Sequence, residues 1–246
     1  MTADEAAASA ARGTVVLLPV GAFEQHGPGL PLATDQVRAE AVVERLADAL
    51  GGAAVIGPGV PVGVSPHHAA FAGTVSLRPA LFTAVVREYV ESLAAHGWTR
   101  FLVVTGHGGN NAALGVLAQD LLRDRPDLEV AWAPVTAVAR TAVGELETDE
   151  VTGHSGEAET SQMLHVAPHL VRRDRLAPGT TRLDEIEGFP RLGRSVPQPQ
   201  VASAYDRLSG NGVLGDPRRA TPEAGRQIVE EVVERLGSFV KEWLDL

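Results

Sequence analysis

The stretch RFLVVTGHGGN, Arg100–Asn110, decides how this chain folds. Phe101-Leu102-Val103-Val104 is an unbroken apolar run of strand length, and Gly106, Gly108 and Gly109 turn the chain sharply out of it. Upstream, Gly97 stops a helix predicted over about Ala80 to His96, with Pro79 near its start; downstream, a helix is predicted over Asn111 to Arg123. Helix, glycine stop, buried strand, glycine-rich turn and helix together make a βαβ pattern, which calls for a parallel sheet.

Working outward, the same alternation recurs. Thr14 to Val20 reads as a strand, followed by a helix over Val37 to Leu50 in which Val37, Ala41, Val42, Leu46 and Leu50 recur every three or four residues, started by Thr34 or Asp35. Ala54–Ile56 and Glu129–Trp132 read as further strands, and Thr74–Leu77 as an edge strand. A helix starts at Glu157 and ends before Pro168, and a last one runs over Ala220 to Leu244, capped by Thr221 with Pro222 in its first turn. Pro178 to Gly215 shows no period and reads as long loops, and residues 1–12 as a flexible terminus. No linker or repeat divides the chain, so the expectation is α/β: a single three-layer α/β/α domain over residues 1–246 with a mostly parallel sheet.

Composition narrows the function. A net charge of -10 argues against a nucleic-acid partner, which needs a basic track. The absence of cysteine removes disulfides, thiolate metal sites and a cysteine nucleophile. No apolar run reaches membrane-spanning length and the N-terminus has no secretory pattern, so no membrane partner is expected and a cytoplasmic location is.

In parallel α/β folds the ligand lies beyond the carboxyl ends of the strands. The residues that follow the strands here are unusual: Glu24, His26 and Asp35 in FEQHGPGLPLATDQ (Phe23–Gln36), then His107, then His154, Glu157 and Glu159. Taken singly, Glu24 and Asp35 can be caps and His107 a hydrogen-bonded turn histidine. Taken together, they are a nitrogen and oxygen ligand set suited to divalent Zn, Mn or Fe, because carboxylates gathered at one place repel unless cations neutralise them.

Glu24-Gln25-His26-Gly27-Pro28 with Leu30-Pro31 and Asp35, Thr105-Gly106-His107-Gly108-Gly109-Asn110, and Gly153-His154-Ser155-Gly156-Glu157-Ala158-Glu159 resemble the three signature regions of the creatininase, or creatinine amidohydrolase, family. Gly63-Val64-Ser65 with His68, and Phe71 to Leu77, extend the likeness. The resemblance implies a three-layer α/β/α metal hydrolase with two divalent ions (Zn2+, Fe2+ or Mn2+), and a homo-oligomer, often a hexamer. It would place Glu24 and His107 with Asp35 on one ion, and His26 and Glu159 with the shared Asp35 on the other. His154 is then the candidate for proton delivery or intermediate stabilisation, Glu157 a weaker one, and His68 a pocket residue.

Two departures bear on the substrate. The relative that opens creatinine has a tyrosine and a glutamate after its second-motif histidine, where this chain has Gly108 and Gly109 in the substrate pocket. Many relatives carry a further histidine at Gly29, whose absence implies a roomier or less polar first loop and costs none of the proposed ligands. Asn211 to Pro217 and Ala220 to Gly225 are similar to a peptide-cleaving branch of the family that releases a C-terminal dipeptide from a short modified peptide. The order of readings is therefore a peptidase, then a hydrolase of small cyclic amides or formamides, then creatinine itself. A metal-stabilised binding protein is the alternative of another class, although structural metal sites prefer four closed protein ligands. Arg78 and Arg140 are the candidate receptors for a peptide carboxylate. The apolar helices around Ala80 to Leu93 and Val229 to Val240 are candidate faces for self-association.

Overall fold

The computed structural model describes residues 1–146, 149–195 and 199–245. Four strands, β1 (Val15–Val20), β2 (Ala54–Ile56), β3 (Arg100–Thr105) and β4 (Glu129–Pro134), lie in the order β2-β1-β3-β4 and pair parallel throughout. Val16 sits opposite Phe101 and Val20 opposite Thr105 in the central pair, so the expected parallel sheet is present, with its two most buried strands in the middle.

Strand residues alternate between two cores, as a sheet covered on both faces requires. Val16, Leu18, Val20, Phe101 and Val103 pack on α3 (Pro79–Ala94) and α4 (Asn111–Asp124) through Phe82, Val86, Val90, Leu114, Leu117 and Leu121. Val15, Leu17, Leu102 and Val104 face the other way, onto Val42, Val43 and Leu46 of α2 (Thr34–Leu50) and Ile228, Val232, Leu236 and Val240 of α9 (Pro222–Trp243). This is the three-layer α/β/α arrangement. The short helices α5 (Val135–Val138) and α6 (Arg140–Gly144) follow β4, and α7 (Glu157–Val166) packs against α9. Thr221 caps α9 as expected, its side chain accepting from Ala224 N at 3.1 Å.

Several expectations change. Residues 1–12 are not a loose terminus: α1 (Ala3–Ala11) is held by a capping box in which Thr2 and Glu5 bond each other's backbone N–H, and buried Ser9 meets Thr14 at 2.9 Å. Thr74–Leu77 forms no strand. Val75 makes a single bridge to Phe23, after which Ser76 and Leu77 bond back to Ser65 and Gly63. The region 178–215 contains α8 (Phe189–Ser195) and short 3-10 turns among its loops; residues 196–198 of it lie outside the described residues. Of the residues on the candidate association faces, Val229, Val232, Leu236 and Val240 are buried in this chain's own core and Val233 is half-buried, while Leu81 of α3 and Phe239 of α9 are exposed. The expectation of a homo-oligomer therefore rests mainly on the resemblance. No described helix is long and apolar enough to cross a membrane.

Candidate metal centre

The carboxyl ends of β1 and β3 bring two loops together, and glycines let them meet. A Cβ at Gly106 would run into the backbone of Asp35, and one at Gly21 would lie 2.5 Å from Gln36 Cα, so only glycine lets the start of α2 approach the strand ends this closely. Buried Asn110 ties the loops, donating to Gly21 O at 3.0 Å and accepting from Val64 N at 2.9 Å.

Glu24, His26, Asp35, His107, His154 and Glu159 converge there, each no more than 9% exposed. Asp35 lies between two histidines, with Oδ1 3.4 Å from His26 Nε2 and Oδ2 3.2 Å from His107 Nδ1. Glu24 Oε1 is also 3.2 Å from His107 Nδ1, and Glu159 Oε2 is 3.7 Å from His26 Nε2. Each imidazole is turned by a backbone carbonyl: His26 Nδ1 donates to Glu24 O at 3.2 Å and His107 Nε2 to Val64 O at 3.1 Å. The other nitrogen of each ring therefore points at the carboxylates.

The titration pattern is that of crowded opposite charges. Burial alone would lower the His26 pKa, but Asp35, Glu159 and Glu24 outweigh it and raise the group to about 9. His107 is likewise held well above its ordinary value, burial being outweighed by Glu24 and Asp35. Burial pushes the Glu24 carboxyl up, while Asp35 is buried yet held well below its usual range by His26 and His107. Even so, both Glu24 oxygens, Asp35 Oδ2, His26 Nε2 and His68 Nε2 are buried without a well-formed hydrogen bond. Buried carboxylate oxygens and imidazole nitrogens aimed at one volume without hydrogen-bond partners fit divalent cations better than protons alone. Glu24, His26 and Asp35 bring ligand atoms within 4.8 Å of one another, as do His26, His154 and Glu159.

Sequence reasoning missed Arg38. This arginine, 1% exposed, lies under the cluster and donates through Nη1 to Glu159 Oε1 at 2.6 Å, Asp35 Oδ1 at 3.3 Å and Gly106 O at 3.1 Å. Nε reaches Gln162 at 3.1 Å and Nη2 reaches Thr136 at 2.6 Å. A fixed cation thus anchors Glu159 through Oε1, whose Oε2 faces His26, and Asp35 through the same Oδ1 that faces His26.

His154 is neutral, because burial and the neighbouring His26 hold its pKa well below the ordinary value. Its Nε2 donates to Gln25 O at 2.9 Å, which leaves Nδ1 bare and facing Glu24 at 3.8 Å and Glu159 at 4.0 Å. Ser155 beside it holds a left-handed backbone at φ 53, with Oγ donating to His26 O at 2.7 Å and its N–H to Glu159 Oε2 at 2.7 Å. Gln25, also missed from sequence, sends its amide to His68 Nδ1 at 2.8 Å and Gly212 O at 3.2 Å. That bond, with the bridge between Leu214 and His154, brings Asn211–Gly215 against the site.

Two sequence candidates fall elsewhere. Glu157 opens α7 and its Oε2 lies 3.4 Å from Arg219, outside the converging groups; two residues apart on a helix, Glu157 and Glu159 face different ways. His68 is not a pocket wall: it is fully buried, with Nε2 3.2 Å from Glu24 Oε1. The 3-10 turn Pro66–His68 instead presents His67, stacked on His107 with ring centroids 5.4 Å apart, to a cavity of about 720 Å³.

Gly108 and Gly109 also line that cavity, but they differ. A Cβ at Gly108 would meet open space, whereas one at Gly109 would lie 2.6 Å from Val64 O. Gly29 leaves no extra room, since Leu176 fills the position its side chain would occupy. Arg78 and Arg140 are exposed and do not line the cavity; Tyr205 and Arg194 do.

The chain matches the creatininase (creatinine amidohydrolase) family over residues 1–240. It is 35% identical over 235 residues to the mycofactocin precursor peptide peptidase of Mycolicibacterium smegmatis, covering 93% of this chain and 85% of that protein. It is 29% identical to creatinine amidohydrolase of Pseudomonas putida, covering 95% and 91%. Among solved structures, a creatininase superposes with a TM-score of 0.84 at 27% identity, covering 98% and 95%, and a manganese form with 0.78 at 27%, covering 98% and 96%.

Proposed function

The chain belongs to the creatininase family and is a metal-dependent hydrolase of amide C–N bonds, and we propose that its substrate is a short peptide from which it releases a C-terminal dipeptide, as in mycofactocin precursor processing. The observation that carries this reading is the adjacency of the buried carboxylate–imidazole cluster to a cavity of about 720 Å³ that is open beside Gly108. The relatives at 34–35% identity named for peptide cleavage point the same way.

In this reading Glu24, His107 and Asp35 would hold one divalent ion, and His26, Glu159 and Asp35 the other; solved creatininases include manganese and zinc forms. The chemistry such a pair supplies is a water acidic enough to attack at neutral pH and polarisation of the scissile carbonyl. The protein's own part is positional and protic. Asp35 offers one oxygen to each side of the cluster, and Arg38 fixes Asp35 and Glu159 from outside. His154, neutral and with bare Nδ1 turned inward, takes a proton at that nitrogen and returns it to the leaving amine. Glu157, tied to Arg219, takes no part.

The test incubates metal-loaded protein with a precursor peptide ending in Val-Tyr, with creatinine and with a simple formamide, and identifies products by mass spectrometry. Appearance of the dipeptide, abolished by chelation, is expected. Turnover of creatinine or the formamide with an intact peptide overturns the substrate, and one tightly held ion without any hydrolysis overturns the enzyme.

A further inference from the structure

We infer that the cavity over the metal-ligand cluster contains a receptor for a substrate carboxylate, built from the Arg194 guanidinium and the Tyr205 hydroxyl. The inference rests on the peptide reading and adds to it the place where the free C-terminus is held.

Among the described residues lining the cavity, Arg194 is the only one with a permanent charge, and no carboxylate lines it. The rest of the wall is largely small or apolar, as at Pro66, Gly108, Pro190 and Val201. An arginine in such a wall is half removed from water without a counter-charge, which favours an anionic ligand.

The cation is also fixed. Arg194 Nη1 donates to Thr152 O at 3.2 Å, Nη2 donates to the Tyr205 hydroxyl at 3.2 Å, and Cζ lies 5.8 Å from the Tyr205 ring centre. Those bonds occupy two of the five guanidinium N–H groups, and Arg194 forms no ion pair among the described residues. Because the Tyr205 oxygen accepts from Arg194, its own proton is available to a second acceptor. Arginine and phenol together present a donor set suited to a carboxylate.

Tyr205 also joins the receptor to the site. Its ring lies 4.2 Å from the His68 ring and 5.3 Å from that of His154, so one aromatic ring lies between the guanidinium and the catalytic cluster, and a peptide whose carboxylate meets Arg194 runs from there toward the cluster.

The experiment compares the precursor peptide as free acid and as C-terminal amide, and the dipeptide Val-Tyr with its amide as probes that are not cleaved. Metal-loaded wild type, Arg194→Gln and Tyr205→Phe are assayed for KM and kcat, and dipeptide binding is measured by calorimetry. In the wild type the acid forms should bind about 10- to 100-fold tighter than the amides. Arg194→Gln should erase that preference with little change in affinity for the amide, and Tyr205→Phe should reduce it by a smaller factor. Equal affinity for acid and amide in the wild type, a preference that survives Arg194→Gln, or no binding of either form overturns the receptor. Peptide cleavage without a preference for the acid sinks the receptor alone, whereas a preference in binding without cleavage of any peptide sinks the peptidase reading alone.

Discussion

Replacing Arg38 with leucine tests whether the cluster is held from beneath by a fixed cation. Among the described residues Arg38 is the only hydrogen-bond partner of Glu159 Oε1, at 2.6 Å, while Glu159 Oε2 keeps the Ser155 N–H. Asp35 is better protected, because His26 and His107 remain on either side of it. The loss therefore falls mainly on Glu159, whose remaining cationic neighbour is His26 at 3.7 Å, with the bonds to Gly106, Gln162 and Thr136 lost as well. Removing one partner of a buried ion pair costs about 3–5 kcal/mol, and the apolar contacts of leucine recover only part of it. Urea unfolding followed by circular dichroism in the presence of a chelator should show Arg38→Leu less stable than wild type by about that amount. Arg38→Lys should recover roughly half, since an ammonium can meet Glu159 but cannot also reach Gln162 and Thr136. Saturating metal should narrow the gap, because it gives the carboxylates other cations. A metal-free Arg38→Leu protein within about 0.5 kcal/mol of wild type, the range of an ordinary surface substitution, refutes the reasoning.

Asp35→Ala should lower metal content more than His26→Ala, because Asp35 faces both His26 and His107 while His26 serves one side; equal ion content by mass spectrometry removes the shared role. His154→Ala should lower the single-turnover rate by about 10²-fold or more with both ions retained, and metal lost in step with activity makes His154 a ligand instead. Metal binding should release protons at neutral pH. His26, raised to about 9, and His107, raised well above its usual value, are protonated in the metal-free protein and must be neutral to ligate, so affinity rises with pH up to about 9. Calorimetry in two buffers of different ionisation enthalpy reads the proton count, and none released contradicts the assignment. Gly108→Ala should be tolerated and Gly109→Ala should destabilise by about 1–3 kcal/mol, because only the second puts a Cβ against a backbone oxygen; thermal melts with equal losses count against the packing argument.

Which parts of this site could be read from sequence follows from how each residue is used. Glu24, His26, Asp35 and His107 stand out in the sequence because they gather beyond apolar strands, although singly Glu24, Asp35 and His107 read as caps or a turn residue; the roles of all six, His154 and Glu159 included, follow only from the resemblance to the creatininase motifs. The capping box of α1 is equally present in Thr2 and Glu5, three residues apart, and it is this pair that orders the terminus. Arg38 carried no such sign. On α2 it occupies one polar position in an amphipathic pattern, and its principal partner, Glu159, lies 121 residues away. A charge on a helix reads as solvated until the fold places something over it. Arg194 is hidden in another way, since the segment around it has no sustained period and its partner Tyr205 comes from a different turn. Local pattern thus reveals groups that violate the preference of their own element, and misses those that become unusual only through a distant contact. The anchors of this site, Arg38 beneath the carboxylates and Arg194 across the cavity, both belong to the second kind. Variants at these two arginines would therefore separate support of the cluster, read in the stability of metal-free protein, from recognition of substrate, read as preference for a free carboxylate.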